Sequence, residues 1–165
     1  MGLFIEEFKT SIGNPARTYI WEIVVPGLAI STFRAQSTEY PSAGSTDVEL
    51  WYQGQKVLFA GAAEYSYNWA CVLAEDDEGL VYKELYKWRQ DCWKQEAATQ
   101  VVPSAYKKDI LIKCLKSTDG SPWLQARLHG AYPKTVDVVA LDRSANTDAW
   151  KWSVTFNFDW WEKSE

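Results

Sequence analysis

His129 is the only histidine in the 165-residue chain, and any serine or cysteine triad would depend on it alone. It sits inside an alternating apolar–polar run, on the polar side, where a strand histidine needs no catalytic role. Cys71, Cys92 and Cys114 are an odd set without a C-x-x-C pair, which argues against both a disulfide framework and a zinc site and for buried free thiols. The acidic run Glu75-Asp76-Asp77-Glu78 lacks the ligand spacing of a calcium loop. It directly precedes a helical pattern, where carboxylates cap free N–H groups and offset the helix dipole. No phosphate-cradling loop, dinucleotide glycine fingerprint, G-x-S-x-G or H-E-x-x-H is present. A carboxylate pair for glycoside hydrolysis can be drawn in any chain with twenty-two acids, so it carries no weight. The expectation is a protein that is not an enzyme, with no catalytic residue, no metal and no cofactor.

The elements that would position these side chains are mostly strands. Trp150 to Trp160 alternates strictly, with Trp150, Trp152, Val154, Phe156, Phe158 and Trp160 on one face. That period excludes a helix. Glu64 to Leu73 alternates too, placing Tyr65, Tyr67, Trp69, Cys71 and Leu73 inward and Glu64, Ser66 and Asn68 outward. Leu124 to Gly130, Lys108 to Lys116, Thr135 to Leu141, Thr18 to Val25 and Ser31 to Thr38 are further strand patterns. Val48–Tyr52 and Lys56–Phe59 flank Gln53-Gly54-Gln55, a hairpin with glycine at its turn. Val81, Leu85, Trp88 and Cys92 recur at helical spacing and predict one amphipathic helix over residues 79–97. The pattern predicts a mainly β protein: an antiparallel β-sandwich or barrel with one α-helix, in a single domain over residues 1–165.

Composition narrows the partners. Seventeen Lys and Arg against twenty-two Asp and Glu give a formal charge of −5, which excludes a globally basic nucleic-acid binder. No apolar run reaches eighteen residues, and the first ten residues lack a signal-peptide core, so no membrane anchor and synthesis in the cytoplasm are expected. Ten Trp, nine Tyr and six Phe are an unusual aromatic load. Trp69, Trp152, Phe156 and Phe158 read as core or buried subunit contact, whereas Tyr40, Trp51, Tyr52, Trp123, Trp160 and Trp161 lie where they could touch another molecule. The apolar hairpin either folds back on the sheet or reaches onto a neighbouring copy.

The order of elements and several local patterns resemble a known family. These are Tyr40-Pro41-Ser42-Ala43-Gly44 before the long hairpin, Lys87-Trp88 in the helix and Ala105-Tyr106-Lys107-Lys108-Asp109 opening a strand. Gly130-Ala131-Tyr132-Pro133-Lys134-Thr135-Val136 and the closing Asp159-Trp160-Trp161-Glu162 follow. Over residues 15–162 the chain resembles the tail tube protein of contractile-tailed bacteriophages, a family related to the type VI secretion tube protein. The resemblance implies a β-sandwich whose copies join into a β-barrel-lined hexameric ring, with rings stacked helically into a rigid tube in the virion tail. That tube would be assembled in the host cytoplasm and pass DNA when the sheath contracts. Implied partners are further copies of the chain, the tail sheath protein, baseplate and tail terminator proteins, a tape measure protein in the lumen, and DNA in transient non-specific passage. The extended hairpin at 45–60 (Val48, Leu50, Trp51, Tyr52, Val57, Leu58, Phe59) would contact the adjacent ring. The N-terminal arm at 1–17 (Phe4, Ile5, Phe8) and Trp160 and Trp161 would be buried between subunits. A channel for a polyanion should lack clustered lysines, and two polar rows are candidates for its lining: Glu64, Ser66, Asn68 and Arg34, Gln36, Thr38. Those rows could equally face the sheath or plain solvent. The same architecture serves type VI secretion and other contractile injection systems, and a sugar-binding β-sandwich module is the alternative from another class.

Overall fold

The computed structural model describes residues 2–26, 34–137, 139, 141–142 and 148–164, with side chains from Ile5 onward. Helix α1 (Gly2–Ile12) precedes β1 (Trp21–Val24), β2 (Ala35–Thr38), β3 (Gly44–Tyr52), β4 (Gln55–Glu64) and β5 (Asn68–Ala74). Helix α2 (Leu80–Cys92) leads to the short strands β6 (Trp93–Lys94) and β7 (Thr99–Gln100) and the single turn α3 (Pro103–Tyr106). Strands β8 (Lys108–Leu115), β9 (Pro122–Val136), β10 (Lys151–Asn157) and β11 (Trp160–Ser164) complete the chain. Seven strands form one antiparallel sheet in the order β1-β8-β9-β10-β5-β2, and β11 pairs with β9. The mainly antiparallel β class matches the alternating sequence patterns. Among the described residues the sheet does not close into a barrel: β1 and β2 remain its edges.

The inward faces of the sheet meet α2 over a single core. Ile23, Ile110, Ile112, Leu128, Val154 and Phe156 are essentially inaccessible, as are Val81 and Leu85 of α2, with Trp69 and Trp88 nearly so. Trp88 also satisfies its indole N–H, which donates to the Tyr106 carbonyl at 2.6 Å. The helix is shorter than its predicted range of 79–97. Trp93 is already extended, and residues 93–100 form the small β6–β7 hairpin. The apolar helical spacing ends at Cys92, so nothing beyond it holds a helical face on the core.

The acidic run caps this helix from upstream. Glu75 accepts hydrogen bonds from the N–H groups of Val81 (3.0 Å) and Tyr82 (2.8 Å) and from the Trp152 indole (2.8 Å). Asp76 accepts from the Leu80 N–H at 3.2 Å. Arg34 lies 2.6 Å from Asp76, an ion pair that ties β2 to the start of α2. The Arg34 hydrogen bond, helped by the Leu80 N–H, holds the Asp76 carboxyl down to about 2. A depressed carboxylate stabilises the fold above its unfolded pKa and stops doing so as pH falls through the folded value. The difference in melting temperature between the wild type and Arg34→Gln should therefore be fully open at about pH 5 and close towards pH ~2. Thermal melts followed by circular dichroism across that window check this, and a gap independent of pH would refute it.

The strand pattern at Trp150–Trp160 is interrupted in one place. β10 pairs with the far part of β9 (Asn157↔Tyr132, Val154↔Val136), and β11 pairs with its near part (Trp160↔His129, Ser164↔Gln125). Both run along the same edge of β9, joined by Phe158-Asp159 opposite Gly130, where β9 bends at φ 66°. The break changes the phase of the alternation: Phe158 is buried, but Trp161 rather than Trp160 then faces inward, opposite Leu128. Trp150 and Trp160, predicted on the buried face, are 42% and 45% exposed.

Candidate assembly surface

The hairpin is longer than its sequence signal, and it does not fold back. β3 and β4 pair from Gly44↔Glu64 to Tyr52↔Gln55 around Gln53-Gly54. Both turn residues have positive φ (48° and 78°), which the Gly54 position accepts at no steric cost. Every residue of β3 is exposed, and all of β4 except Gly61. The register separates two faces. Val48, Leu50 and Tyr52 lie opposite Phe59, Val57 and Gln55 on one; Glu49, Trp51 and Asp47 lie opposite Leu58, Lys56 and Ala60 on the other, where Glu49 pairs with Lys56. The first face is an almost unbroken apolar surface held in water. A lone two-stranded hairpin is marginal by itself, and an exposed apolar one is an adhesive surface.

The closing segment of the chain holds the base of this hairpin. Trp161 donates its indole N–H to the Ser42 carbonyl (3.0 Å) and packs edge-on against Tyr40 (5.9 Å). On the other leg, Tyr65 stacks on Phe158 (5.9 Å), whose N–H donates to the Tyr67 carbonyl (3.1 Å). Trp161 thus has an intramolecular partner that the sequence patterns did not reveal. Trp160 stays half exposed, stacked at 4.0 Å on His129.

The N-terminal arm is a helix, α1, and its spacing of Ile5, Phe8 and Ile12 is the signal that the strand-dominated reading passed over. These three side chains are 57%, 63% and 46% exposed. Phe4 lies within α1, but its side chain is outside the described residues.

Neither polar row forms a single strand face. Glu64 ends β4, Ser66 sits in a turn with its hydroxyl donating to the Asn68 carbonyl, and Tyr67 has φ 56°, so only Asn68 belongs to β5. Tyr67, predicted inward, is half exposed because that turn releases it from the sheet. The second row is broken by an irregularity between Ala35 and Ser37: Thr38 faces the same side as buried Cys71, Ser37 pairs outward with Val72, and Arg34 is engaged by Asp76. Ser31–Phe33 of the predicted strand lie outside the described residues. On β2, β5, β10 and the end of β9 the outer face instead presents Ser37, Asn68, Ala70, Val72, Ser153, Thr155 and Thr135, a small uncharged patch bounded by Lys151, while its β1–β8–β9–β11 part carries Glu22, Lys113, Arg127 and Glu162.

The groups with chemical potential are used structurally. His129 Nδ1 lies 3.1 Å from Asp109 and Nε2 3.0 Å from Glu162, so the ring ties β8 and β11 to β9. The three cysteines are free. Burial pushes the Cys71 thiol up to about 12 and raises Cys92 and Cys114, which keeps them protonated and poorly nucleophilic. Among the described residues no cluster of His, Cys, Asp and Glu could hold a metal ion, and no helix is long and apolar enough to cross a membrane.

No protein-family model and no curated protein sequence matches the chain. Solved structures do. A chain of the sheath/tube terminator of an extracellular contractile injection system, PVC, in its extended state superposes with a TM-score of 0.70 at 15% identity, over 93% of this chain and 99% of that one. A chain of the PVC sheath-tube complex gives 0.68 at 15% identity over 95% and 96%. A type six secretion system protein gives 0.52 at 8% identity over 87% and 81%. The likeness is one of fold, and the fold is that of the tube proteins of contractile injection systems.

Proposed function

We propose that this chain is a structural, non-enzymatic tube subunit of a contractile injection system, whose copies close into rings that stack into a hollow tube. The observation that carries the reading is the β3–β4 hairpin: an apolar arm rooted by Trp161 and Phe158 but left in water along its length. A monomer gains nothing from such an arm. A head-to-tail assembly buries it at every repeat.

The uncharged patch of the outer sheet face around Ala70, Thr135, Ser153 and Thr155 is the proposed channel wall, because a patch without cations does not trap a polyanion by counterion release; Lys151 lies at its edge. Of the two polar rows, Asn68 alone is kept on that wall. Sheath and terminator are the proposed partners, supported by the named assemblies in which the similar folds occur, and a baseplate protein is proposed with them. A tape measure protein and DNA in the lumen would follow in a phage tail in the virion, and a protein cargo in a secretion system. Hexameric rings are part of the proposal.

Negative-stain electron microscopy across a concentration series, with and without sheath protein, tests it. Rings or hollow tubes are the expected result. Monodisperse monomers at every concentration, with sheath present, would reject the reading.

A further inference from the structure

We infer that α1 of one copy docks in an aromatic groove of the next copy, a contact that rests on the assembly reading and names its donor and acceptor. The groove holds about 450 Å³ between α2, the end of β9 and the start of β10. Tyr82 and Tyr86 of α2 stack on each other (5.8 Å), Tyr82 stacks on Trp152 (4.9 Å), and Trp152 meets Trp150 (5.4 Å). Tyr82, Tyr86 and Trp150 remain more than 40% exposed, a continuous ring ladder open to water. With Arg89 these tyrosines form an i, i+4, i+7 stripe beside the buried one, and Lys134 lines the opposite wall along with Asp137.

Helix α1 complements this groove in its apolar stripe and in charge. Ile5, Phe8 and Ile12 form its exposed apolar stripe, and it carries Glu6 and Glu7 against one cation, Lys9, which is bound to Glu6 at 3.0 Å. The acidic helix faces a groove walled by Arg89 and Lys134. The two sites also lie at opposite ends of one strand. α1 is rooted beside the β8–β9 turn, where Asn14 bonds Ser117 at 2.9 Å, near the start of β9; the groove is built on its end. Twelve residues of strand separate Pro122 from Lys134, about 40 Å along the chain before the bend at Gly130 shortens it. An eleven-residue helix spans about 16 Å, too short to reach its own groove. The contact is therefore between copies and heterologous, so it repeats from one to the next.

A full-length chain with a photo-crosslinking amino acid in place of Phe8, assembled as an equal mixture of ¹⁴N- and ¹⁵N-labelled copies, tests the assignment. Mixed-label crosslinks mapping to Tyr82–Arg89, Lys134 or Trp150–Trp152 are expected. Phe8→Asp and Tyr86→Asp should each raise the concentration for half-assembly about tenfold or more without changing the far-ultraviolet circular dichroism, and the double variant should be no worse than about twofold beyond either single one. Crosslinks within one chain, or to the β3–β4 hairpin or another surface of an assembled tube, or additive effects of the two substitutions, would overturn this contact while leaving the tube reading intact. A protein that never assembles would overturn both.

Discussion

Replacing Leu50 by aspartate is expected to leave the subunit folded and to abolish stacking of rings into tubes. Leu50 sits mid-hairpin, opposite Val57, 57% exposed, on the face shared with Val48 and Phe59. No residue of β3 is buried in the monomer, so the substitution removes nothing from the core and should change the melting temperature very little. In the assembly the same position would go from an apolar contact to a buried, unpaired carboxylate. Losing the leucine burial costs about 1.5–3 kcal/mol, and the unmatched charge adds to it. A loss of about 3 kcal/mol per contact is about a hundredfold or more in association constant, and every repeat carries it. Sedimentation velocity with electron microscopy reads the outcome: rings or small oligomers with normal melting are expected. Lys56→Ala on the opposite hairpin face, which removes only the exposed ion pair with Glu49, should assemble nearly as the wild type does. Tubes formed by the Leu50→Asp protein at wild-type concentrations would show that the hairpin is not the stacking surface.

The strands and the core were legible because they obey a period that burial imposes. Val154 and Phe156 had to be inward once Ser153, Thr155 and Asn157 were polar, Trp69, Cys71 and Leu73 carry on the period that polar Asn68 begins, and all five are buried. What was not legible falls where the period is reset. The turn at Tyr67 and the irregularity beside Gln36 flip the parity of the residues around them, so rows read as continuous polar faces belong to different surfaces. A one-residue slip reverses the parity and leaves no mark on composition. Helix α1 was missed for another reason: its apolar spacing is helical, but a short stripe with no partner in its own chain looks like an extended arm. Trp161 shows the limit from the other side. Its type announces a contact, while only the fold reveals that the contact is the Ser42 carbonyl of the same chain.

The second large effect is expected at Gly130, where β9 bends. Its φ of 66° costs a residue with a side chain about 1–2 kcal/mol. A Cβ placed there would collide with the Asp159 carboxylate, so Asp159 must move. That carboxylate is ion-paired with Lys107 at 2.7 Å, and the backbone N–H of Asp159 donates to the His129 carbonyl. Gly130→Ala should destabilise the subunit by about 2–4 kcal/mol, a fall of roughly 5–15 °C in melting temperature for a chain of this size. Adding Asp159→Ala should recover the share due to crowding and leave the backbone share, so the double variant should melt above Gly130→Ala alone. A double variant that melts as the sum of both losses would mean that the close approach is not the cause. The effect should also reach assembly. The bend at Gly130 lets β10 and β11 follow one edge of β9, which brings Phe158 under Tyr65 and Trp161 under Ser42, the two legs of the hairpin. A glycine with no contact of its own to the hairpin therefore sets where the hairpin points. Gly130→Ala should lower the yield of tubes even at temperatures where the subunit remains folded, whereas destabilising the Arg34–Asp76 tie at the far end of β2 to a similar degree should not.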